Sequence, residues 1–465
     1  MKQYRKTDLG PECVDELKAA LTFQDTRNEN KLVRGRPVPV PFFSAYAENE
    51  HCLRVPKFFP YPISLKSRKE PDYSFQPGLV NGDPVEGGWF GNPGFDSELR
   101  PIQAQALDIL LERLERATPT VPQGATLCLP CGFGKTRTAI FAIHRLRAKT
   151  LVLASHSHLL VQFSKEASRI ASGVVVAKLP KSPAVPLDPT AHIIFGTLQS
   201  IYCRNYPASY WASIGLVIVD EAHHLAAPTF CQALCRLPVC RVLALTATPE
   251  RKDGREALLY YLAGDTAFRA YRPKSSLVTV KYLRYTVEDP DTLKPFQTSY
   301  NTVGERMVLL GKMSLLRERN AVLVAQIQKL ASGRAGVLVL CKLINHLHQL
   351  AEACALPDYG FFTGQETQPQ REEAAQRLVI FATFDMAKEG LDIPRLDALV
   401  LGSPAENTIQ CMGRILREVP GKLDPLVIDV YDDCVAFRGE VWSRLRQYTE
   451  TGARIVGISK VISKL

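Results

Sequence analysis

Eight short runs of Val, Ile and Leu limit what this chain can fold into. Four fall in KTLVLAS (149–155), AHIIFGT (191–197), GLVIVDEA (215–222) and VLALTAT (242–248), and four in AGVLVLCK (335–342), RLVIFAT (377–383), LDALVLGS (396–403) and DPLVIDV (424–430). Each is too short to cross a membrane and too evenly apolar for a strand with one wet face, and helical stretches separate them. Buried parallel strands with crossover helices produce this pattern. A less regular stretch at about 272–310, containing EDPDTLKPFQTSYN, divides the two series. Two tandem α/β lobes joined by a linker is the economical reading.

Ahead of the lobes, the chain is rich in Pro, Gly and aromatics (PVPVPFFSAY, PKFFPYPI, NPGF) and reads as a small β-rich or mixed domain. The expected division is an accessory domain at 1–95, a first lobe at 96–275, a linker at 276–310 and a second lobe at 311–465. No short repeat or low-complexity tract suggests a solenoid or a disordered tail.

Net charge is +10, and its placement says more than its size. Residues 1–99 carry 13 Lys and Arg against 14 Asp and Glu, residues 100–275 carry 21 against 11, and residues 276–465 carry 23 against 22. A basic first lobe beside two neutral segments suggests a polyanion surface, with nucleic acid the commonest partner. The start, MKQYRKTDLG, lacks the apolar region of a signal peptide, and no run reaches the roughly 18 apolar residues of a membrane helix. Twelve irregularly spaced cysteines read as reduced thiols of an intracellular protein. Cys231, Cys235 and Cys240 lie close in sequence, with His223 and His224 upstream, but no nearby cysteine completes a metal set and a packed helix followed by a turn accounts for them.

CLPCGFGKT (128–136) follows an apolar run and precedes a helical one. Backbone N–H groups of such a glycine-rich turn can surround phosphate oxygens, Lys135 can reach the β- and γ-phosphates, and Thr136 can place its hydroxyl on Mg²⁺. Leu129 stands where the Walker pattern has its first glycine. In VIVDEAHHL (217–225) a strand delivers two adjacent carboxylates at its C-terminal end, the edge where open α/β sheets bind ligands. Asp220 would hold Mg²⁺ and Glu221 would polarise the attacking water. The plainer reading of that stretch is a strand ending in a helix N-cap.

LPCGFGKT, DEAH, TATP (246–249) and QCMGRILRE (410–418) occur in the order of the superfamily 2 helicase motifs, a resemblance covering roughly residues 99–435. That superfamily commonly lacks the early Walker glycine, so the nucleotide loop runs from Pro130 through Cys131, Gly132, Phe133, Gly134, Lys135 and Thr136 to Arg137. LPCG and LTATPERKDG (245–254) resemble the XPB-like group, and FATFDMAKEGLDIP (381–394) resembles poxvirus transcript-release and phage branch-migration helicases.

The resemblance implies two tandem RecA-like lobes and further roles. Gln103 in LRPIQ would read the adenine edge, with Arg100 nearby. Ser155 and Gln162 in ASHSHLLVQF, and Thr197 and Gln199 in FGTLQSI, would contact nucleic-acid phosphate and sugar. ASHSH departs from the family's usual proline-threonine. His223, Thr246 and Thr248 would couple the ATP site to the nucleic-acid side. In the second lobe Gln410, Arg414 and Arg417 would serve catalysis, the two arginines lying on one helical face and reaching the γ-phosphate. Glu389, Gly390 and Asp392 would sense nucleotide and Thr383 would face nucleic acid. Arg319-Asn320 and CKLINHLHQLA (341–351) resemble the start of the second lobe.

The expectation is an ATP- and Mg²⁺-dependent DNA helicase or translocase of viral or phage type, moving 3′ to 5′ and acting as a monomer. DNA is favoured over RNA as partner, and transcription or replication proteins are candidate associates. A viral enzyme of this kind would work in the cytoplasm or nucleus of its host, with packaging in the virion a further option. An RNA helicase is the runner-up, and a nucleic-acid-binding scaffold with weak ATPase is the alternative from another class. A P-loop kinase or small GTPase has no use for Q-x-x-G-R-x-x-R. The N-terminal segment could bind duplex DNA or position a partner.

Overall fold

The computed structural model describes residues 1–24, 32–33, 36–37, 42–60, 73–75, 80–82, 89, 98–130, 132–250, 254–271, 278–389, 391, 393–406, 408–417 and 421–457. Two compact units result, Met1–Tyr271 and Arg272–Leu465.

The first unit is built on a seven-stranded sheet in which every pairing is parallel. Across the sheet the strands are Val176–Lys178, Ile193–Thr197, Thr150–Ala154, Leu216–Val219, Arg241–Thr246, Gln123–Cys128 and Thr266–Arg269. Alternate side chains feed two cores. Leu151, Leu153, Val217, Val219, Val242 and Ala244 enter one, whereas Val152, Ala154, Leu216, Ile218, Leu243 and Leu245 enter the other. Helices Pro101–Leu114, Lys135–Leu146 and Ser157–Ile170 close the second core, and Leu198–Cys203, Pro228–Cys235 and Glu256–Ala263 line the first. Both faces being covered, Leu216–Val219 is apolar at every position, and Thr150, Thr197, Arg241 and Thr246 stand at the ends of the other central strands.

The N-terminal segment contributes a four-stranded antiparallel sheet that includes Lys2–Arg5 and Cys52–Val55. Its Tyr4, Leu17, Leu53 and Val55 are buried in the same core as Leu151 and Val217 of the first sheet. Buried Lys57 donates to the carbonyl oxygens of Leu237 (2.9 Å) and Val239 (2.5 Å). Polar ties of that length between the two parts make them one folded body.

The second unit repeats the plan with a seven-stranded, all-parallel sheet. Its order is Tyr359–Phe362, Val379–Thr383, Val337–Cys341, Ala398–Leu401, Leu426–Asp432, Thr279–Tyr285 and Arg454–Val456. Numbered within its own lobe, each sheet runs 3-4-2-5-6-1-7. Thr279–Tyr285, inside the stretch expected to be a linker, is thus the first strand of the second lobe and pairs along its whole length with Leu426–Asp432. Two tandem parallel-sheet lobes are what the apolar runs lead one to expect, and their RecA-like form with a small N-terminal mixed region is what the resemblance implies.

Two buried ion pairs anchor Leu426–Asp432. Arg319 Nε and Nη2 donate to Asp432 Oδ1 and Oδ2 at 2.7 and 3.0 Å, and Nη1 to Gly402 O at 2.7 Å. Arg444 holds Asp429 at 2.8 and 3.0 Å and Ala405 O at 2.8 Å, and Tyr448 donates to the same Asp429 at 2.9 Å. Both guanidinium groups are 1% exposed, so their geometry must satisfy the carboxylates almost alone. Beside Arg319, Asn320 donates to Ser314 O (2.8 Å) and faces His346 Nε2 at 3.0 Å. The Arg319-Asn320 pair thereby locks the start of the lobe to its sheet. Burial first, and Arg319 second, hold the His346 imidazole down to about 3.

Replacing Arg319 by Met should cost about 3–5 kcal/mol by stranding Asp432. Denaturant titration would show it, and a loss under about 1 kcal/mol would mean the pair is not the anchor. His346 also sets an acid limit. It stays neutral in the folded unit down to about 3, while in the unfolded chain it takes a proton below its usual 6.5, so stability falls as pH drops through that window. Between pH 7 and 5 the His346 contribution should be a loss of about 2 kcal/mol. It is read as the difference in acid dependence between the wild type and His346→Asn, and parallel curves would contradict it.

Candidate active site

Because the first sheet is parallel, residues after Cys128, Ala154, Thr197, Val219 and Thr246 all leave it at one edge. Leu129 extends the ladder, donating its N–H to Thr246 O at 3.2 Å. It is fully buried, which is why a leucine serves where a phosphate-binding glycine would stand in the longer motif. Phe133 N then donates to Pro130 O at 3.1 Å, and Gly132 (φ 83) and Gly134 (φ 84) take left-handed backbone on either side of Phe133. Helix Lys135–Leu146 starts directly from Gly134, so its free N–H groups open towards the loop. Thr136 lies in that first turn. Lys135 Nζ rests on Leu129 O at 3.2 Å. Cys131 lies outside the described residues, and Cys128 is a buried free thiol.

Gln103 and Arg100 clasp this loop from the helix Pro101–Leu114. Gln103 Nε2 donates to Phe133 O (2.9 Å), its Oε1 accepts from Arg100 N (2.9 Å), and Arg100 Nη2 donates to Gly132 O (3.0 Å). Arg100 also sits 5.9 Å from the Phe133 ring centroid. A Cβ on Gly134 would come 2.0 Å from Gln103 Nε2, so the glycine is required for the clasp as well as for its φ. Gln103, expected to read a base, is 1% exposed, with one end of its amide on Phe133 O of the loop and the other on Arg100 N at the start of its own helix. Arg137, the last residue of the expected loop, lies 3.7 Å from Glu166 of the neighbouring helix.

The carboxyl pair stands beside the loop. Asp220 Oδ1 accepts from Glu221 N at 3.0 Å. Burial, then the charge of Glu221, push the Asp220 carboxyl up to about 7 against the opposing pull of Lys135. Glu221 itself has φ 47 and ψ 51, left-handed backbone in a residue with a Cβ. Such strain costs on the order of 1–3 kcal/mol and gathers where function dictates side-chain direction. The turn sends Glu221 Oε2 to 3.4 Å from His223 Nδ1, and the same nitrogen lies 3.5 Å from Thr246 Oγ1, which accepts from Thr248 N at 3.3 Å. Glu221, His223, Thr246 and Thr248 therefore form one polar chain along the edge.

The remaining first-lobe candidates border this edge. Ser155 Oγ is 3.0 Å from His156 Nδ1, and Gln162 is half-buried in Ser157–Ile170. Thr197 caps helix Leu198–Cys203, accepting from Ser200 N at 3.1 Å, while Gln199 is exposed in the first turn and its Nε2 donates to Cys203 Sγ at 3.1 Å. Cys231, Cys235 and Cys240 are free thiols.

In the second unit Thr383 ends strand Val379–Thr383, and helix Phe384–Glu389 follows it. Gly390 and Asp392 lie outside the described residues. Gln410 and Arg414 share helix Ile409–Ile415, and Arg414 Nε donates to Ala387 O at 2.9 Å while Nη2 donates to Lys388 O. Arg414 thus caps the carbonyl end of Phe384–Glu389. The expected single helical face for both arginines is corrected: the helix ends at Ile415, Leu416 has left helical backbone (φ −92, ψ 5), and Arg417 lies beyond it.

Residues 96–251 match the family Type III restriction enzyme, res subunit. An Acanthamoeba polyphaga mimivirus protein provisionally named ATP-dependent RNA helicase L396 is 24% identical over 436 residues, 92% of this chain and 79% of that protein. An African swine fever virus protein provisionally named ATP-dependent RNA helicase QP509L is 23% identical, covering 70% of this chain and 68% of its own. In fold, the chain is similar to the ATP-dependent Type ISP restriction-modification enzyme LlaBIII bound to DNA, with TM-score 0.52 and 16% identity over 78% of this chain and 32% of that one. No helix among the described residues is long and apolar enough to cross a membrane. The family match and the viral relatives support a superfamily 2 helicase, a nucleic-acid-dependent ATPase.

Proposed function

We propose that the chain is a DNA helicase or translocase in which Lys135 and the loop Pro130–Thr136 bind the phosphates of ATP, Asp220 and Thr136 hold Mg²⁺, and Glu221 orients the attacking water. The observation that carries this reading is the half-buried carboxyl pair within the electrostatic reach of Lys135: a strained Glu221 and a high Asp220 together make a site that a divalent cation would relieve. Mg²⁺ would supply charge neutralisation at the β- and γ-phosphates. The polar chain from Glu221 through His223 to Thr246 and Thr248 supports a coupling role, since a change at the base alters the hydrogen bonding of the next strand end.

Gln103 enters this reading as the residue that shapes the loop. Ser155, Gln162, Thr197, Gln199 and Thr383 are proposed contacts to nucleic-acid backbone, and Gln410, Arg414 and Arg417 are proposed catalytic partners. Viral transcription, replication or repair is the setting this reading favours. An RNA helicase is the second reading, favoured by the names of the mimivirus and African swine fever virus relatives.

ATPase rates with no polymer, single-stranded DNA, forked DNA and RNA test the class and the substrate. DNA should raise the rate most, and no stimulation by any polymer would overturn the motor reading. Strand displacement from 3′ and 5′ tails then fixes polarity. Glu221→Gln should lower turnover by about 10²–10⁴-fold while leaving nucleotide affinity nearly intact. Equal turnover would remove Glu221 from the mechanism. Gln103→Ala should weaken ATP and GTP alike, each by roughly tenfold for the lost loop hydrogen bonds. Weakening of ATP alone would show instead that Gln103 reads the base.

A further inference from the structure

A cavity of about 450 Å³ lies on the first lobe where helix Leu198–Cys203 ends. Tyr202, Arg204, Asn205, Tyr206, Trp211 and Arg236 are among its lining, and no Asp or Glu is. The size falls within the roughly 300–1,000 Å³ of ligand pockets. Its walls are organised. The Arg236 guanidinium lies 5.3 Å from the Tyr202 ring centroid and donates to Tyr202 O at 2.7 Å. Tyr206 packs at 5.1 Å and 58° against fully buried Trp211, and its hydroxyl is fixed on Pro180 O at 2.6 Å. Among the described residues, neither Arg204 nor Arg236 has a carboxylate partner within salt-bridge distance. Two unneutralised guanidinium groups over a rigid aromatic floor call for an occupant that is both anionic and flat.

We propose that this cavity is a second nucleic-acid contact, in which a base stacks on the Tyr202, Tyr206 and Arg236 surfaces and its phosphates meet Arg204 and Arg236. The inference rests on the nucleic-acid reading above and extends it to a part of the lobe that no motif marks. Continuity supports a polynucleotide. Helix Leu198–Cys203 spans about 9 Å, so a strand held near exposed Gln199 at its start passes the cavity at its end. Aromatic stacking tolerates any base and the arginines read only charge, so the contact adds grip without sequence preference. A site that holds the strand on one lobe away from the ATP edge would keep it engaged when the edge contacts change.

Fluorescence anisotropy of the full chain with single-stranded DNA and RNA oligonucleotides across a salt series provides the test. Arg204→Glu/Arg236→Glu should weaken binding by at least about tenfold and lower the salt slope by about 1.4, the share of two phosphate contacts, while ATPase without polymer stays at the wild-type rate. Unchanged affinity and slope in the double variant, with the wild type binding normally, would overturn this site and leave the motor reading standing. A wild type that binds neither polymer would defeat both. Photocrosslinking of the wild type with 5-iodouracil oligonucleotides needs no variant to fold. Adducts on Tyr202 or Tyr206 support the contact, and adducts confined to residues 155–162 and 197–199 overturn it.

Discussion

A strand buried on both faces has nowhere to put a polar group except at its ends, and that constraint organises the molecule. Leu216–Val219 is apolar at every position, pairs in parallel on both sides, and places its first polar side chain at Asp220. The strands ending at Ala154, Thr197 and Thr246 obey the same limit, Thr126 inside the strand ending at Cys128 is satisfied by donating to Gly264 O at 2.6 Å, and parallel pairing brings all these strand ends to one edge. The glycine-rich loop, the carboxyl pair and Thr246 are therefore neighbours for a reason that lies in the folding of the sheet alone. Burial also raises the cost of charge there, which is what pushes Asp220 up and makes an arriving cation favourable.

The second unit applies buried charge differently. Arg319 and Arg444 neutralise Asp432 and Asp429 on one strand, and each reserves a nitrogen for the loop after Ala398–Leu401, at Gly402 O and Ala405 O. That loop leads into the helix carrying Gln410 and Arg414. Fixing it from two sides sets where the helix begins, and Arg414 in turn caps Phe384–Glu389. Desolvated ion pairs contribute little net stability as pairs, but bidentate geometry leaves few alternative positions for the backbone they hold.

Much of this was legible in the residues. The apolar runs identify both sheets, since helix-covered parallel strands leave that signature, and GFGKT and DEAH both follow strand ends at one edge of the first. Four features were not. TVKYLRY, the first strand of the second lobe, alternates because Lys281 and Arg284 stay partly or fully in solvent, so it lacks the signature of its neighbours and was placed in a linker. The N-terminal segment looks separate by composition, yet Tyr4, Leu17 and Lys57 join it to the first lobe through contacts distant in sequence. Gln103 shows a subtler limit: a resemblance assigns it to a base, but only the coordinates show its amide engaged on Phe133 O and Arg100 N. Helix Ile409–Ile415 stops inside QCMGRILRE, and its one glycine, Gly413, lies within the helix and not after its end.

The shared strand order makes the difference between the lobes sharper. In each, the first strand lies between the sixth and seventh. In the first lobe that strand is Gln123–Cys128, and it opens into two left-handed glycines and a lysine. Its counterpart, Thr279–Tyr285, opens into Thr286, Val287, Glu288, Asp289 and Pro290, and Asp289 caps the helix Pro290–Leu293 by accepting from Thr292 N at 2.8 Å. A carboxylate thus occupies the helix N-terminus that a phosphate would need, and no glycine lets the backbone curl around an anion. Among the described residues the same topology is built twice, but left-handed glycines and a lysine follow the first strand in the first lobe alone.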